Sequence, residues 1–348
     1  MASPSIRKTL SPLVAVALLT VPAEAQVSYT GSSGYVQVTL TGSALTAVSA
    51  TLQNKSDHTS NVTINADWVP TVPQVPPTPD IPAQQTATAT GAAWTADQWA
   101  GYFFYVCDST GGEEAFLILS NTADTVTISS RFNLLDADRS IPAVTSASIR
   151  AAQTIGGLLG SGPGTPFTVA DKIYLWNGTG WTTYFYVPAG PALGWHKIGS
   201  VAVVDDDAVF PGEGLFVLLA QASDIVLTFF GDVPSKAQVT TMPGPGLQFV
   251  SMRYPVDTTV GQLGFHNLPD WKRGGAGDLL YLWNGAGWTT YFYLDAIGPL
   301  LAGWRKIGSV AIVDSDPVGA DTAVFTSRKG ISSLAASANF HALPYPTP

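Results

Sequence analysis

One stretch of the chain occurs twice, and this repetition restricts the fold more than any other feature. Residues 171–186 read DKIYLWNGTGWTTYFY, and residues 278–293 read DLLYLWNGAGWTTYFY. A second shared block follows each copy, GWHKIGSV at 194–201 and GWRKIGSV at 303–310. The chain therefore contains one structural unit twice, and each copy must bury an apolar face against something else. The shared residues are mainly aromatic residues, glycine, threonine and lysine, so they inform us about architecture rather than chemistry.

Each copy begins with a sequence that predicts a β-hairpin. Trp176 and Trp181 flank residues 177–180, where asparagine and glycine tolerate the backbone conformations of a tight turn. If the two tryptophans pair, one face carries Tyr174, Trp176, Trp181, Thr183 and Phe185, and the other carries Ile173, Leu175, Thr182, Tyr184 and Tyr186. Both faces are apolar or aromatic. We expect one to meet the core and the other to meet a neighbouring copy, a subunit or a ligand.

Short alternating segments and frequent turn residues predict an all-β protein throughout. The predicted order is an N-terminal β-domain at 26–149, with a proline-rich insertion at 69–82, followed by the duplicated antiparallel β-unit as a sandwich or a partly closed barrel. Copy 1 is placed at 150–234 and copy 2 at 254–348. The end of copy 2 diverges, because the apolar strand that follows 208–210 in copy 1 has no visible counterpart after 323–325.

The first 25 residues predict a signal peptide. Arg7 and Lys8 precede an apolar run at 13–21, and a small-residue cleavage site lies before Gln26. The apolar run is about half the ~20 residues that span a bilayer. We therefore expect a secreted protein, located in the periplasm, on the outer surface or in the extracellular space, without a transmembrane span after cleavage.

Charge and cysteine content exclude several classes of partner and cross-link. The formal net charge is −9 and the cations are scattered, which argues against nucleic acid because phosphates require clustered lysine and arginine. The lone Cys107 cannot form an internal disulfide. An exported chain of this length is large enough to be stabilised by its own core.

Paired aspartates are the candidate metal ligands. The pattern Asp-x-Asp occurs three times, at Asp136 and Asp138, Asp205 and Asp207, and Asp314 and Asp316. The last two pairs occupy equivalent positions in the two copies, and alternate carboxylates at a strand end offer the oxygen ligands that Ca²⁺ prefers. Aspartate also favours turns because it accepts hydrogen bonds from its own backbone. These aspartates are therefore either ligands of Ca²⁺ or residues that stabilise turns.

The tryptophans of the repeated hairpin are the candidate ligand-binding residues. Aromatic faces offer a large, rigid surface on which a sugar ring can stack. Strands favour aromatic residues in any case, so packing between layers is the alternative. The candidates are Trp176, Trp181, Trp283 and Trp288.

Catalytic patterns are weak. His58, His196, His266 and His341 are scattered without metal-ligand spacing. The sequence has no Gly-x-Ser-x-Gly nucleophile elbow. A glycosidase requires two opposed carboxylates, which the sequence does not single out.

Short motifs of aromatic, glycine, proline and aspartate residues lie at 94–101, 121–127, 171–174, 184–186, 194–199, 211–217 and 231–234. Together these motifs resemble those of a family of uncharacterised secreted β-rich proteins of verrucomicrobial-type Gram-negative bacteria. The resemblance implies export and a β-rich fold, and no activity. We therefore expect a non-catalytic structural or interaction protein of the cell envelope or extracellular space, whose partner is an envelope or extracellular polymer or a second copy. The alternatives are a polysaccharide-binding module, with or without Ca²⁺, and a glycan-acting hydrolase.

Overall fold

The computed structural model describes residues 33–74, 81–136, 139–242, 245–268, 270–297, 300–329 and 337–341. Strands account for 46% of the chain and helices for 3%. The predicted all-β fold is confirmed, and a closed six-stranded barrel accompanies the open sheets. The predicted leader at 1–25 and residues 75–80 of the proline-rich insertion lie outside the described residues.

The described chain begins with two strands whose partners come much later in the sequence. These are β1 (Ser33–Leu40) and β2 (Leu45–Ser49). In β1, Val38 and Leu40 are fully buried while Gln37 and Thr39 are exposed. This alternation is typical of a strand that lays one face on a core.

A closed barrel follows. Its six strands are β3 (Ser56–Ile64), β4 (Gln84–Thr88), β5 (Phe103–Cys107), β6 (Glu113–Asn121), β7 (Thr125–Ser129) and β8 (Val144–Arg150). The strands pair in the order β6-β5-β8-β3-β4-β7, and β7 pairs back with β6, which closes the ring. The barrel has its own core, in which Phe104, Ile118 and Ile128 are almost completely buried.

The elements that follow the barrel belong to the first copy of the repeat. Its elements are β9 (Gln153–Thr154), helix α1 (Ile155–Leu159), β10 (Lys172–Trp176), β11 (Trp181–Val187), β12 (Gly194–Lys197), β13 (Ala208–Val209), β14 (Gly214–Leu218) and β15 (Ile225–Asp232). One sheet has the order β12-β11-β10-β14-β2, and β1 pairs with β15. The two layers enclose a core around the fully buried Trp195.

Copy 2 repeats this arrangement. Its strands are β16 (Gln238–Met242), β17 (Gly246–Ser251), β18 (Thr258–Thr259), β19 (Leu279–Trp283), β20 (Trp288–Leu294), β21 (Gly303–Lys306), β22 (Pro317–Val318), β23 (Ala323–Arg328) and β24 (Ser337–His341), with a 3₁₀ turn at Phe265–Asn267. The sheet order is β21-β20-β19-β23-β17, and β16 pairs with β24. Trp304, the counterpart of Trp195, is also fully buried in the core.

The strand pairing shows that the barrel is inserted into copy 1. Strand β2 takes the place that β17 takes in copy 2, and the pair β1–β15 corresponds to the pair β16–β24. Copy 1 thus starts at β1, is interrupted by the barrel after β2, and resumes at β9. In copy 2 the same connection is the short segment 252–257.

Two sequence-based assignments differ from this pairing. The predicted limits at 149 and 254 do not coincide with it, because β1 and β2 pair with strands of copy 1, while β16 and β17 belong to copy 2. The expectation that copy 2 lacks the apolar strand is wrong. Strand β23 of copy 2 is the counterpart of β14 in copy 1. Leu175 pairs with Leu215 of β14, and the equivalent Leu282 pairs with Val324 of β23. The similarity between 208–210 and 323–325 was misleading, because β13 corresponds to β22.

The predicted hairpin is present in both copies. Trp176 pairs with Trp181, and Trp283 pairs with Trp288. The Asn177 side-chain oxygen accepts hydrogen bonds from the backbone N–H groups of Thr179 and Gly180, at 3.0 and 2.8 Å. The turn also contains Gly178 at φ +94°, a conformation that favours glycine. Local turn chemistry therefore fixes the register of the hairpin.

Candidate functional site

The four predicted tryptophans lie where the sheets of the two copies pack against each other. The Trp176 indole N–H donates to the Leu247 carbonyl at 2.9 Å, and the Trp283 indole N–H donates to the Leu45 carbonyl at 2.8 Å. Leu45 is the first residue of β2, and Leu247 is the second residue of the equivalent strand β17. Each copy therefore makes the same contact with the other. The hairpin face that carries Trp176 and Trp181 packs against the neighbouring copy, which was one of the three alternatives expected from the sequence.

Three phenylalanine rings form the centre of this contact. The Phe216 and Phe249 centroids are 4.8 Å apart, and those of Phe249 and Phe325 are 4.6 Å apart, both pairs stacked. Trp181 and Trp288 each approach the Phe325 ring edge-on, at 5.7 and 5.4 Å. We call this group the aromatic seam: Trp176, Trp181, Phe216, Phe249, Trp283, Trp288 and Phe325.

The aromatic seam is open to solvent along one side. Trp181 and Trp288 each keep 40% of their surface exposed. Both line a cavity of about 260 Å³ together with Trp176, Leu247, Tyr281 and Phe325. Both predicted roles are thus compatible with the geometry, since the rings pack the two copies together and leave aromatic surface on which a ring-shaped ligand can stack.

The predicted aspartates bind groups within their own copy. Asp205 Oδ1 accepts a hydrogen bond from the Trp195 backbone N–H at 2.7 Å, and Asp314 Oδ1 accepts one from Trp304 at 2.7 Å. These bonds connect β12 and β21 to the loops that follow them. Among the residues that the structure describes, no group of three acidic, histidine or cysteine side chains is placed to hold a metal ion. Asp136 lies in a barrel loop, and Asp138 lies outside the described residues.

The second aspartate of each pair accepts bonds from a tyrosine and a lysine. Asp207 Oδ2 accepts from the Tyr184 hydroxyl at 2.9 Å and lies 2.7 Å from Lys197 Nζ. Burial raises the pKa of the Tyr184 hydroxyl, and its hydrogen bond to Asp207 raises that pKa further. Asp316 makes the equivalent contacts in copy 2, with Tyr291 at 3.0 Å and Lys306 at 2.7 Å. The repeated aspartates therefore have a structural use in both copies.

Sequence reasoning missed two exposed loops that have nearly the same sequence in both copies. We call residues 198–203 and 307–312 the apolar loops; they read IGSVAV and IGSVAI. Val201 is 95% exposed and Val310 is 76% exposed. Their turns are the same, since the Ser200 N–H donates to the Lys197 carbonyl and the Ser309 N–H donates to the Lys306 carbonyl, both at 3.0 Å. The shared block GW-x-KIGSV was the available signal, but sequence alone did not show its exposure.

Sequence reasoning also missed a carboxyl group at the junction of the barrel and the two copies. Glu213 lies in the turn between β13 and β14, partly buried, and copy 2 has Thr322 at the corresponding place. Burial raises the pKa of Glu213 to about 7, against smaller opposing effects from the Phe210 N–H and from Arg131. No feature of the sequence indicated it, because the similarity between 208–210 and 323–325 places Glu213 opposite Arg328 rather than Thr322.

Comparisons with known proteins give no assignment for this chain. No family profile, curated protein or solved structure matches it. Within the described part of the chain, no helix has the length and apolar character needed to cross a membrane. The predicted signal peptide lies outside that part.

Proposed function

We propose that this chain is an exported, non-catalytic interaction protein of the cell envelope or extracellular space, in line with the resemblance to secreted β-rich proteins. The observation that supports this proposal is the pair of apolar loops. Each copy presents the same exposed apolar residues on the same turn, so one chain offers two equivalent contact points. Its partner is an envelope or extracellular polymer, and association with a second copy is the competing outcome.

The exposure of these side chains has no explanation in the packing of either copy. Ile198 and Ile307 are 61% and 55% exposed, and Val201 is almost completely exposed. Isolated apolar residues on a surface are ordinary. Here the same exposed residues recur on the same turn in both copies, and this recurrence favours an interaction site. Each turn has the same two internal hydrogen bonds, from the serine N–H to the lysine carbonyl and from the alanine N–H to the serine hydroxyl. Such bonds restrict a loop and so lower the entropy lost on binding.

Retention on an insoluble envelope fraction tests this proposal. We expect Val201→Ser and Val310→Ser each to reduce retention, and the double variant to reduce it further than either, because two linked contacts reinforce each other. Val226→Ser is the matched control, since Val226 is 59% exposed but lies on β15, outside the loops. Retention of the double variant at the level of the control would contradict the proposal. Light scattering on the same proteins distinguishes self-association from polymer binding.

The second candidate function is polysaccharide binding at the aromatic seam. It is supported by the cavity that Trp181 and Trp288 line with 40% of their surface exposed. A glycan array with the protein produced without residues 1–25, run with and without Ca²⁺, tests this function. If the function is present, Trp181→Ala loses glycan signal while Val201→Ser keeps it. The reverse pattern favours the apolar loops as the contact surface.

A further inference from the structure

The proline-rich insertion at 69–82 repeats every three residues. Prolines stand at positions 70, 73, 76, 79 and 82, and a β-branched residue precedes each of them. A polyproline II helix has three residues per turn, so a proline at every third position lies along one edge of it. Segments with the pattern Pro-x-x-Pro bind grooves that are lined by aromatic side chains. We call residues 69–82 the proline arm.

The described residues of the proline arm keep this period of three in their backbone. Val69 exchanges two backbone hydrogen bonds with Gln84, and Val72 exchanges two with Ile81, all at 2.9–3.0 Å. A regular antiparallel strand turns every second residue toward the same neighbour. Here the bonded positions are three residues apart on both sides of the arm. This spacing indicates the threefold geometry of polyproline II.

The proline arm exposes its apolar side chains to solvent. Val69, Val72 and Ile81 are 41%, 40% and 45% exposed, and Pro70 and Pro73 are exposed as well. The described residues of the arm include no charged side chain. The arm therefore presents a neutral, apolar surface that its own chain leaves uncovered.

The open cavity of the aromatic seam has the chemistry that such an arm requires. All six side chains that line it are apolar or aromatic, and none is charged. The indole N–H groups of Trp176 and Trp283 are used between the copies, whereas those of Trp181 and Trp288 have no acceptor among the described residues. Each of these two exposed indoles therefore offers a ring on which a proline can stack and a donor for a backbone carbonyl.

The proline arm has carbonyl groups that match these donors. Within the part of the chain that the structure describes, the carbonyls of Pro70 and Thr71 accept no hydrogen bond. Polyproline II makes no internal hydrogen bonds, so its carbonyls stay available to a partner. The chain thus carries both an aromatic groove with free donors and a segment suited to fill it.

We propose that the aromatic seam of one chain binds residues 69–73 of the proline arm of a second copy. Pro70 and Pro73 pack on the exposed rings, and the indole N–H groups of Trp181 and Trp288 donate to carbonyls of the arm. Both surfaces are uncharged, so two chains that each have a net charge of −9 meet here without bringing like charges into direct contact. Arm and seam are different surfaces, so the contact is heterologous and a chain bound at one surface can bind another copy at the other. The contact does not use the apolar loops, so it succeeds or fails separately from the proposed function.

Light scattering on the protein produced without residues 1–25 tests this contact. We expect the average mass to rise with protein concentration, and Pro70→Ala with Pro73→Ala to keep the chain monomeric over the same range. Pro163→Ala with Pro166→Ala is the matched control, because these prolines have the same spacing and are also exposed, but lie in a loop of copy 1. The proposal is wrong if the original protein stays monomeric, or if the arm variant associates as the control does.

The apolar loops are the competing surface for self-association. The double variant Val201→Ser with Val310→Ser should associate as the original protein does, because the proposed contact does not use these residues. If this double variant becomes monomeric, the apolar loops make the contact between copies and the proposal is overturned.

Fluorescence polarisation of a labelled peptide with the sequence of residues 69–74 identifies the surface that receives the arm. Trp181→Phe with Trp288→Phe keeps an aromatic ring at both places but removes both indole N–H groups. We expect this variant to bind the peptide about tenfold more weakly or worse, since one lost hydrogen bond corresponds to about three- to tenfold. A peptide that carries Pro70→Ala and Pro73→Ala should lose binding to the original protein.

Thermal unfolding checks that the variant with both Trp→Phe changes is folded. Equal binding of the peptide by this variant and the original protein, or equal binding of the two peptides, would contradict the proposal. If neither peptide binds while a glycan signal depends on Trp181, the aromatic seam is a glycan site and does not receive the proline arm.

Discussion

The carboxyl group of Glu213 makes the stability of the protein depend on pH in a specific direction. Its pKa is raised from 4.5 to about 7 in the folded protein. Between these pH values the folded state binds more protons at this group than the unfolded state does. The free energy of unfolding therefore falls as the pH rises from about 4.5 to 7, and the contribution of this group is fully lost above that range.

The size of the effect follows from the shift in pKa. A difference of about 2.5 between the two pKa values corresponds to about 3.5 kcal/mol, at about 1.4 kcal/mol per pKa unit. The side chain is only partly buried, so solvent screening reduces the expected contribution to about 1–2 kcal/mol. Glu213→Gln keeps the shape of the neutral acid and cannot ionise. We expect this variant to be about 1–2 kcal/mol more stable than the original protein at pH 8, and equally stable near pH 4.

Urea unfolding at several pH values, followed by tryptophan fluorescence, measures this difference. Other groups titrate in both proteins, so the difference between the two curves isolates Glu213. Glu213→Thr, which introduces the residue found in copy 2, should show the same trend with pH. A difference between Glu213→Gln and the original protein that is constant from pH 4 to pH 8 would refute the reasoning.

Three further predictions concern the repeated units. Asp205→Ala should cost about 1–3 kcal/mol, because the Trp195 backbone N–H loses its acceptor. Ca²⁺ at about 1 mM should leave the melting temperature of the original protein unchanged, and a clear rise that Asp205→Ala with Asp207→Ala abolishes would show that these aspartates bind the ion. Trp195→Ala should lower the free energy of unfolding by about 3–5 kcal/mol and Trp181→Ala by about 2–3 kcal/mol, because Trp195 is fully buried and Trp181 is 40% exposed. Equal losses in chemical unfolding would count against this difference in exposure. Asn177→Ala should cost about 1 kcal/mol through the loss of its turn hydrogen bonds, and Asn284→Ala, measured in the same way, should cost a similar amount.

Local features of the sequence predicted local structure well. The hairpin, its turn and the division of its faces follow from alternation and from the chemistry of 177–180, and each of these depends on residues close together in the chain. The packing of Trp176 against the other copy was among the predicted alternatives, because both faces of the hairpin are apolar or aromatic. A hairpin with apolar or aromatic residues on both faces is expected to pack both faces against other parts of the structure.

Features that depend on distant pairing were not predictable in this way. Strand β2 has the short sequence LTAVS, and nothing in it indicates that the strand pairs with β14 rather than with its neighbours. The insertion of the barrel was missed for this reason. The pKa of Glu213 and the exposure of Val201 also arise from tertiary placement, because an identical residue behaves differently in a crowded junction and on a loop.

The interruption of copy 1 has a consequence for the order in which the chain can fold. Gly42 donates its N–H to the Asp224 side chain, 182 residues further along the chain. The barrel can form first, because Ser56 and Arg150, at its two ends, are paired neighbours. Strands β1 and β2 then remain without their partners until the end of copy 1 has been made. Contacts of such long range slow folding and leave strand edges exposed to aggregation. Strands β1 and β2, although made before the barrel, are thus completed after it.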